Sequence, residues 1–304
     1  MNLSSIFAVL RDGIAQLECE CVPSAGLAAE LLLMHVLGRD RAWIYAHPEA
    51  ELNDAQRDKY FSLLARRASG EPTQHITGHQ EFWGLDFEVS PDVLIPRPET
   101  EHLIEVALER LAITNETGAP RRNEKFLIAD VGTGSGCIAI SLAHELPFAK
   151  FVASDISGAA LEVAGRNAAR HGVSDRIELF QCNLLDAVFH QFPVTSHLPP
   201  IFDLIVSNPP YVGRWEAASL AREVREHEPE EALYGGETGT EIYAPLLAQA
   251  AAQLKPGGVL VLELGHASEA HVSKLLASPE WTSILIASDL AGIPRVASAV
   301  REIK

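Results

Sequence analysis

Positive charge is scarce in this chain. Lys and Arg total 24 against 41 Asp and Glu, a formal charge of −17 over 304 residues. Proteins that hold nucleic-acid phosphates carry a basic footprint, so this balance argues against direct binding of nucleic acid. Long apolar runs are missing too: no stretch approaches ~20 uninterrupted apolar residues, and no membrane span is expected. Residues 1–10 have no basic segment ahead of an apolar run, so a helix is expected there and not a signal peptide. Cysteine is rare. Cys19, Cys21, Cys137 and Cys182 offer no CxxC pair and no zinc spacing, and they read as small apolar residues of a reducing compartment, the cytoplasm. His75 and His79 are four apart, but Thr77 and Gly78 argue against a helix that would align them, and no third ligand is suitably spaced. No metal is expected.

What is present is apolar content of 47% with only 21% charged residues, a globular mixture of a length that suggests two domains. Helical spacing marks Ile6, Val9, Leu10, Ile14 and Leu17, and again Leu27, Leu31, Leu32 and Met34 up to Gly38. Asn53 or Asp54 caps a further helix through Tyr60, Phe61 and Leu64 to Arg67. An all-helical domain is therefore expected at 1–75. Residues 81–89 are aromatic-rich around Gly84, the pattern of a hairpin, and Pro91, Pro96 and Pro98 punctuate a rigid connection. Hairpin and proline-rich linker occupy 76–98, and the main domain occupies 99–304.

That domain opens with a helix at 99–111 and a polar loop at 114–124. Strands are expected at 126–131, 151–154, 177–181, 202–206 and 259–264, with helices at 136–146, 159–171, 242–254 and 266–277. Two last strands, at 283–288 and 295–303, lack a helix between them and pair as an antiparallel hairpin. The alternation predicts an α/β fold, a mostly parallel seven-stranded sheet with its last strand reversed and helices on both faces.

The sharpest local signal is Asp130-Val131-Gly132-Thr133-Gly134-Ser135-Gly136-Cys137, between a strand and a helix. Cys137 stands where a dinucleotide fingerprint needs glycine, and the Gly-Lys-Ser/Thr of a P-loop is absent. The G-x-G-x-G spacing resembles the loop of S-adenosylmethionine-dependent methyltransferases of Rossmann-like fold, which makes Gly132, Thr133, Gly134, Ser135 and Gly136 candidate cofactor contacts. Asp155, at the tip of the second strand, is placed to accept both ribose hydroxyls, or to cap the helix that starts near Ser157. Asn183 and Leu184, after the third strand, would face the adenine. Asp186 reads equally as a ligand or a plain surface carboxylate.

Asn208-Pro209-Pro210-Tyr211 follows the fourth strand, where open α/β sheets bind substrate. A planar amide or exocyclic amine is a poor nucleophile because its lone pair is delocalised. An enzyme that methylates one must hold the NH₂ with acceptors and aim the lone pair at the methyl. The Asn208 side-chain carbonyl and the Pro209 backbone carbonyl supply two acceptors, and consecutive prolines fix the backbone direction. Tyr211 adds a flat face. Catalysis of this kind is positioning and desolvation, not general base chemistry.

The tetrapeptide is shared by enzymes that methylate glutamine, adenine and guanine. The stretches Gln74 to Gly78, Glu81 to Leu85, Val93-Leu94-Ile95-Pro96-Arg97-Pro98-Glu99-Thr100-Glu101, Glu228-Pro229, Gly235-Gly236, Pro256-Gly257-Gly258 and Asp289-Leu290-Ala291-Gly292 narrow the choice. With them, the chain resembles the release-factor glutamine methyltransferase family (PrmC, also called HemK). The resemblance implies methyl transfer from S-adenosylmethionine to the glutamine of the Gly-Gly-Gln loop in class I peptide chain release factors. It also implies a helical N-terminal domain that docks the factor. Asn183 and Tyr234 depart from that pattern, where an acidic residue and an aspartate are common. Arg97 and Glu99 form a structural pair or support the cofactor pocket, and 222–231 is either a solvated helix face or a flap over the substrate. A monomer is expected. The alternatives are methylation of adenine in DNA or guanine in ribosomal RNA, or a non-catalytic cofactor-binding protein. The acidity bears on these: both the N-terminal third and the remainder are net negative, which suits a basic protein partner better than an RNA.

Overall fold

Helices form where a cap supplies the backbone partners that a helix end lacks. The computed structural model describes residues 4–111, 125–186, 202–289 and 291–302, so the 114–124 loop, Leu290 and Ile303 lie outside the described residues. α1 (Ile6–Cys19) starts at Ser5, whose side chain accepts from the Ala8 amide. α2 (Ala25–Leu37) ends at Gly38, and α3 (Arg41–Ala46) starts at Asp40. α4 (Asp54–Ala68) begins with a reciprocal capping box between Asn53 and Gln56. Leu17, Leu32, Leu33, Ile44, Tyr60 and Leu64 form the core of this bundle. One turn of helix, α5 (Thr73–Thr77), does form where the sequence argued against it. Gly78, at φ +79°, then ends it, so His79 falls outside and the two imidazoles share no helix face.

Two compact units result. The helical unit runs to His79 and also takes in Leu220–His227, where the buried Arg67 guanidinium donates to Glu223. The second unit comprises Gln80–Ser219 and Glu228–Lys304. β1 (His79–Phe82) and β2 (Leu85–Glu88) make the expected hairpin through Trp83 and Gly84, both with positive φ as a type I′ turn requires. A 3-10 turn at Pro98–Thr100 leads into α6 (Glu101–Leu111).

The alternation then follows: β3 (Leu127–Val131), α7 (Cys137–Glu145), β4 (Lys150–Asp155), α8 (Gly158–Arg170), β5 (Ile177–Gln181), β6 (Phe202–Ser207) and the short β7 (Val212–Gly213). After α9 (Arg222–His227) come α10 (Glu230–Leu233), β8 (Tyr234–Gly236), α11 (Tyr243–Gln253), β9 (Leu254–Glu263), α12 (Glu269–Leu276), β10 (Trp281–Ser288) and β11 (Pro294–Arg301). α12 starts three residues later than expected because Ala267 sits at φ +62° in a turn closed by Ser268 N–H on the Gly265 carbonyl.

The seven-stranded sheet has the order β10-β11-β9-β6-β3-β4-β5, with β11 antiparallel to both neighbours and the rest parallel. Its central strands β3, β4, β6 and β9 are buried on both faces, as parallel strands between helices must be, whereas the edge strands β5 and β10 are partly exposed. Ile128, Leu204, Val206, Val259 and Val261 pack on one side with α6 and α7. Ala129, Val131, Ile205, Leu260 and Leu262 pack on the other with α11 and α12. From β3 the chain moves to β4 and β5 on one side, and only then returns to β6 on the other. The carboxyl ends of β3 and β6 therefore bound a topological switch point, where such sheets open a crevice. Among the described residues no helix is long and apolar enough to cross a membrane.

Candidate active site

The loops after β3 and β6 meet at that switch point around a cavity of about 420 Å³. Ser207, the last residue of β6, donates its hydroxyl to the Val131 carbonyl at 2.7 Å and ties the two strand ends together. In the glycine loop, Gly132, Gly134 and Gly136 take φ of +73°, +54° and +82°, a region that side chains rarely enter. Gly134 lines the cavity, and a Cβ there would meet no protein atom within 4 Å, so the space beside the loop is open to a ligand.

Asp130 anchors the loop from beneath. It is fully buried, and its Oδ2 accepts from the Thr133 hydroxyl at 2.7 Å and the Ala139 amide at 3.1 Å. Burial pushes its carboxyl up to about 7. Asp155 accepts from the Gly134 amide at 2.9 Å through Oδ2 and from the Ser157 amide at 2.9 Å through Oδ1. Burial raises its pKa as well. The helix cap is Ser157, whose hydroxyl accepts from the Ala160 amide, so Asp155 braces the glycine loop while lining the cavity. Asn183 and Leu184 also line it. Leu184 takes φ +53°, which turns its carbonyl onto the Ser154 hydroxyl at 2.7 Å. Asp186 turns away and accepts from Gln249 at 2.7 Å.

Asn208, Pro209 and Pro210 line the same cavity, with the Asn208 backbone carbonyl oxygen 3.9 Å from where a Cβ on Gly132 would lie. Tyr211 does not line the cavity. Its ring lies against Gly265, where a Cβ would come within 2.8 Å of it, and its hydroxyl donates to Glu263 Oε1 at 3.0 Å. One side of the ring expected to meet the substrate is therefore packed against Gly265. The Asn208 NH₂ donates to the Thr100 hydroxyl oxygen at 3.0 Å, and Thr100 donates onward to Glu263 Oε2 at 2.7 Å. Gly235 of β8 packs so closely that its Cβ position is 2.3 Å from the Pro210 carbonyl oxygen.

Arg97 pairs with Glu228 and not with Glu99. Its Nη2 donates to both carboxylate oxygens at 2.6 and 2.7 Å, and the Glu228 side chain is buried while Arg97 lines the cavity. The charge-rich 222–231 stretch is thus divided. Leu220–His227 belongs to the helical unit, whereas Pro229, Glu230 and Glu231 stand at the cavity wall. Arg214 lies 5.0 Å above the Tyr234 ring, and both line the cavity.

No local pattern in the sequence assigns a role to Thr100, Glu228 or Glu263, whose partners lie more than a hundred residues away for Thr100 and Glu228. Glu263 did leave a signal: an acid closing a strongly apolar strand is rarely buried without partners.

Residues 8–78 match the model of the PrmC N-terminal domain, and residues 119–228 match that of the methyltransferase small domain. A solved methyltransferase from Pyrococcus furiosus superposes with a TM-score of 0.51 at 18% identity, over 79% of this chain and 98% of that one, a likeness of fold alone. The release factor glutamine methyltransferase of Koribacter versatilis is 46% identical over 94% of each chain. That of Nitratidesulfovibrio vulgaris is 38% identical over 99% of this chain and 96% of its own. At this identity over nearly its whole length, the chain belongs to the release factor glutamine methyltransferase family.

Proposed function

We propose that this protein transfers a methyl group from S-adenosylmethionine to the side-chain amide nitrogen of the glutamine in the Gly-Gly-Gln loop of class I peptide chain release factors. The observation that carries the reading is the meeting of the glycine loop and Asn208-Pro209-Pro210 on one cavity, in a chain of this family. The donor set fits the cofactor. Gly132, Thr133, Gly134, Ser135 and Gly136 cradle it, Asp155 has lone pairs left for the ribose hydroxyls, and Asn183 and Leu184 face the base. Carboxylates outnumber cations in the wall, with Asp92, Asp155, Glu230 and Glu231 against Arg97 and Arg214, which favours a cationic sulfonium.

When bound against Gly132–Gly136 and Asp155, the cofactor would supply an electrophilic methyl for an amide nitrogen, which would lose a proton to water. The Asn208 side-chain carbonyl and the Pro209 carbonyl accept from the two N–H groups of the substrate amide and so orient the nitrogen's electron pair. Pro210 and Tyr211 hold the loop in place, Tyr211 from behind through Gly265 and Glu263.

The helical domain, residues 1–75, docks the factor, residues 76–98 link the domains, and 99–304 carry the chemistry. The enzyme acts as a cytoplasmic monomer on a protein substrate and does not bind nucleic acid directly. Purified enzyme, labelled S-adenosylmethionine and release factor test this: label appears on the Gly-Gly-Gln peptide, and its absence there ends the claim.

A further inference from the structure

We infer that Glu263, acting through Thr100, sets which end of the Asn208 side-chain amide faces the substrate. The inference rests on the proposed methyl transfer to an amide and names the residues that make Asn208 an acceptor in it.

Asparagine presents two ends of nearly equal shape and opposite hydrogen-bonding character. Only the carbonyl end serves a substrate NH₂; the amino end would set donor against donor. The structure removes the ambiguity by a chain of forced choices. Glu263 closes β9 and is 2% exposed; burial raises its pKa, while the hydroxyls of Thr100 and Tyr211, one on each oxygen, and then Arg295 favour the ionised form. As a carboxylate it only accepts. Its Oε2 faces the Thr100 hydroxyl at 2.7 Å, so Thr100 must spend its one proton there. The Thr100 oxygen then has only lone pairs to offer Asn208, 3.0 Å away, and the Asn208 group facing it must be the NH₂. The Asn208 carbonyl is left for the cavity that this residue lines.

The other oxygen of the same carboxylate accepts from the Tyr211 hydroxyl at 3.0 Å. One buried acid thereby fixes the first and last residues of Asn208-Pro209-Pro210-Tyr211. Glu263 and Thr100 are positioning residues: neither is proposed to touch the reacting atoms.

Thr100→Val keeps the shape at 100 and removes the hydroxyl, so the Asn208 amide loses the bond that orients it. We expect kcat for release-factor methylation to fall about ten- to a hundredfold, the worth of a hydrogen bond in a chain ending on a charge, with cofactor affinity nearly unchanged. Thr100→Ser, which restores the hydroxyl, should return kcat to within about threefold of wild type. Glu263→Met removes both acceptors at similar size, leaves the Thr100 proton free to turn towards Asn208, and should lower kcat like Thr100→Val. A Thr100→Val enzyme at wild-type kcat, or a Thr100→Ser enzyme as impaired as Thr100→Val, overturns the inference.

A second measurement does not depend on the substrate or on the fold of any variant. In wild-type protein carrying isotope-labelled asparagine, the Asn208 NH₂ protons should show cross-relaxation to Thr100 and slow exchange with water. Free exchange and no contact with Thr100 overturn the inference, even in an enzyme that methylates. A wild-type enzyme that leaves the release factor unlabelled while showing this contact defeats the proposed substrate and leaves the orientation of Asn208 standing.

Discussion

A single methyl group added at Gly235 tests whether the substrate-facing loop is held as tightly as it must be. An ideal Cβ at Gly235 lies 2.3 Å from the Pro210 carbonyl oxygen and 2.8 Å from the Gly239 carbonyl oxygen. Carbon and oxygen in such contacts ordinarily stay about 3.3 Å or more apart, so one of these backbones must retreat by roughly 1 Å. Gly235 is not in the left-handed region, so steric contact and not backbone strain is the cause. Pro210 stands two residues from Asn208 on the cavity wall. A displacement of ~1 Å at reacting groups costs on the order of a hundredfold in rate, and overpacking of this kind costs about 1–3 kcal/mol in stability. Gly235→Ala should therefore slow single-turnover methyl transfer about a hundredfold and lower the urea midpoint, with cofactor affinity by calorimetry within about threefold of wild type. Gly26→Ala is the control. It lies in the first turn of α2 with nothing within 4 Å of the new Cβ, and it should leave the rate alone and add up to about 1 kcal/mol of stability. Wild-type turnover by Gly235→Ala would refute the reasoning, because the Pro210 carbonyl would then be free to shift without consequence.

Asn208→Ala should abolish turnover while cofactor binding survives; a variant that still methylates the release factor shows that the acceptor lies elsewhere. Arg97→Ala leaves the Glu228 carboxylate buried without its guanidinium and should cost about 3 kcal/mol in urea unfolding, most of which Arg97→Met combined with Glu228→Leu should recover. An unchanged midpoint in the single variant would mean that water replaces the arginine. Asp130 is protonated in the folded chain up to about pH 7 but ionised above about 4 when unfolded, so it lowers stability as pH rises through that window. The stability of wild type relative to Asp130→Asn should fall between pH 5 and pH 7 by about 1.4 kcal/mol per unit and then level off; a flat difference refutes the assignment. If the net charge of −17 steers a basic release factor, the association rate falls as salt rises, whereas a salt-independent rate leaves the acidity to solubility.

The features legible in the sequence share a short range. β3, β6 and β9 carry the apolar stretches 127–129, 204–206 and 259–262 because helices cover both faces, and glycine or proline stands within a few residues of each. The glycine loop and Asn208-Pro209-Pro210-Tyr211 are contiguous, so their chemistry can be read in one window. One-turn elements such as α5 escape this reading, since a single turn shows no period. What lies wholly out of reach is direction. Tyr211 is legible as an aromatic beside the substrate loop, but the close contact against its ring is made by Gly265, in the loop after β9. Arg97 finds Glu228 131 residues away, and Thr100 finds Glu263 163 residues away. No periodicity relates such pairs; they meet because β9 pairs with β6 and because the linker runs over the same crevice. The consequence is specific to this site. A tetrapeptide supplies acceptors of the right kind, yet an asparagine is an acceptor only on one side, and that side is chosen by residues outside the motif. Reading a motif therefore identifies the groups, and the buried acids behind it decide what those groups do.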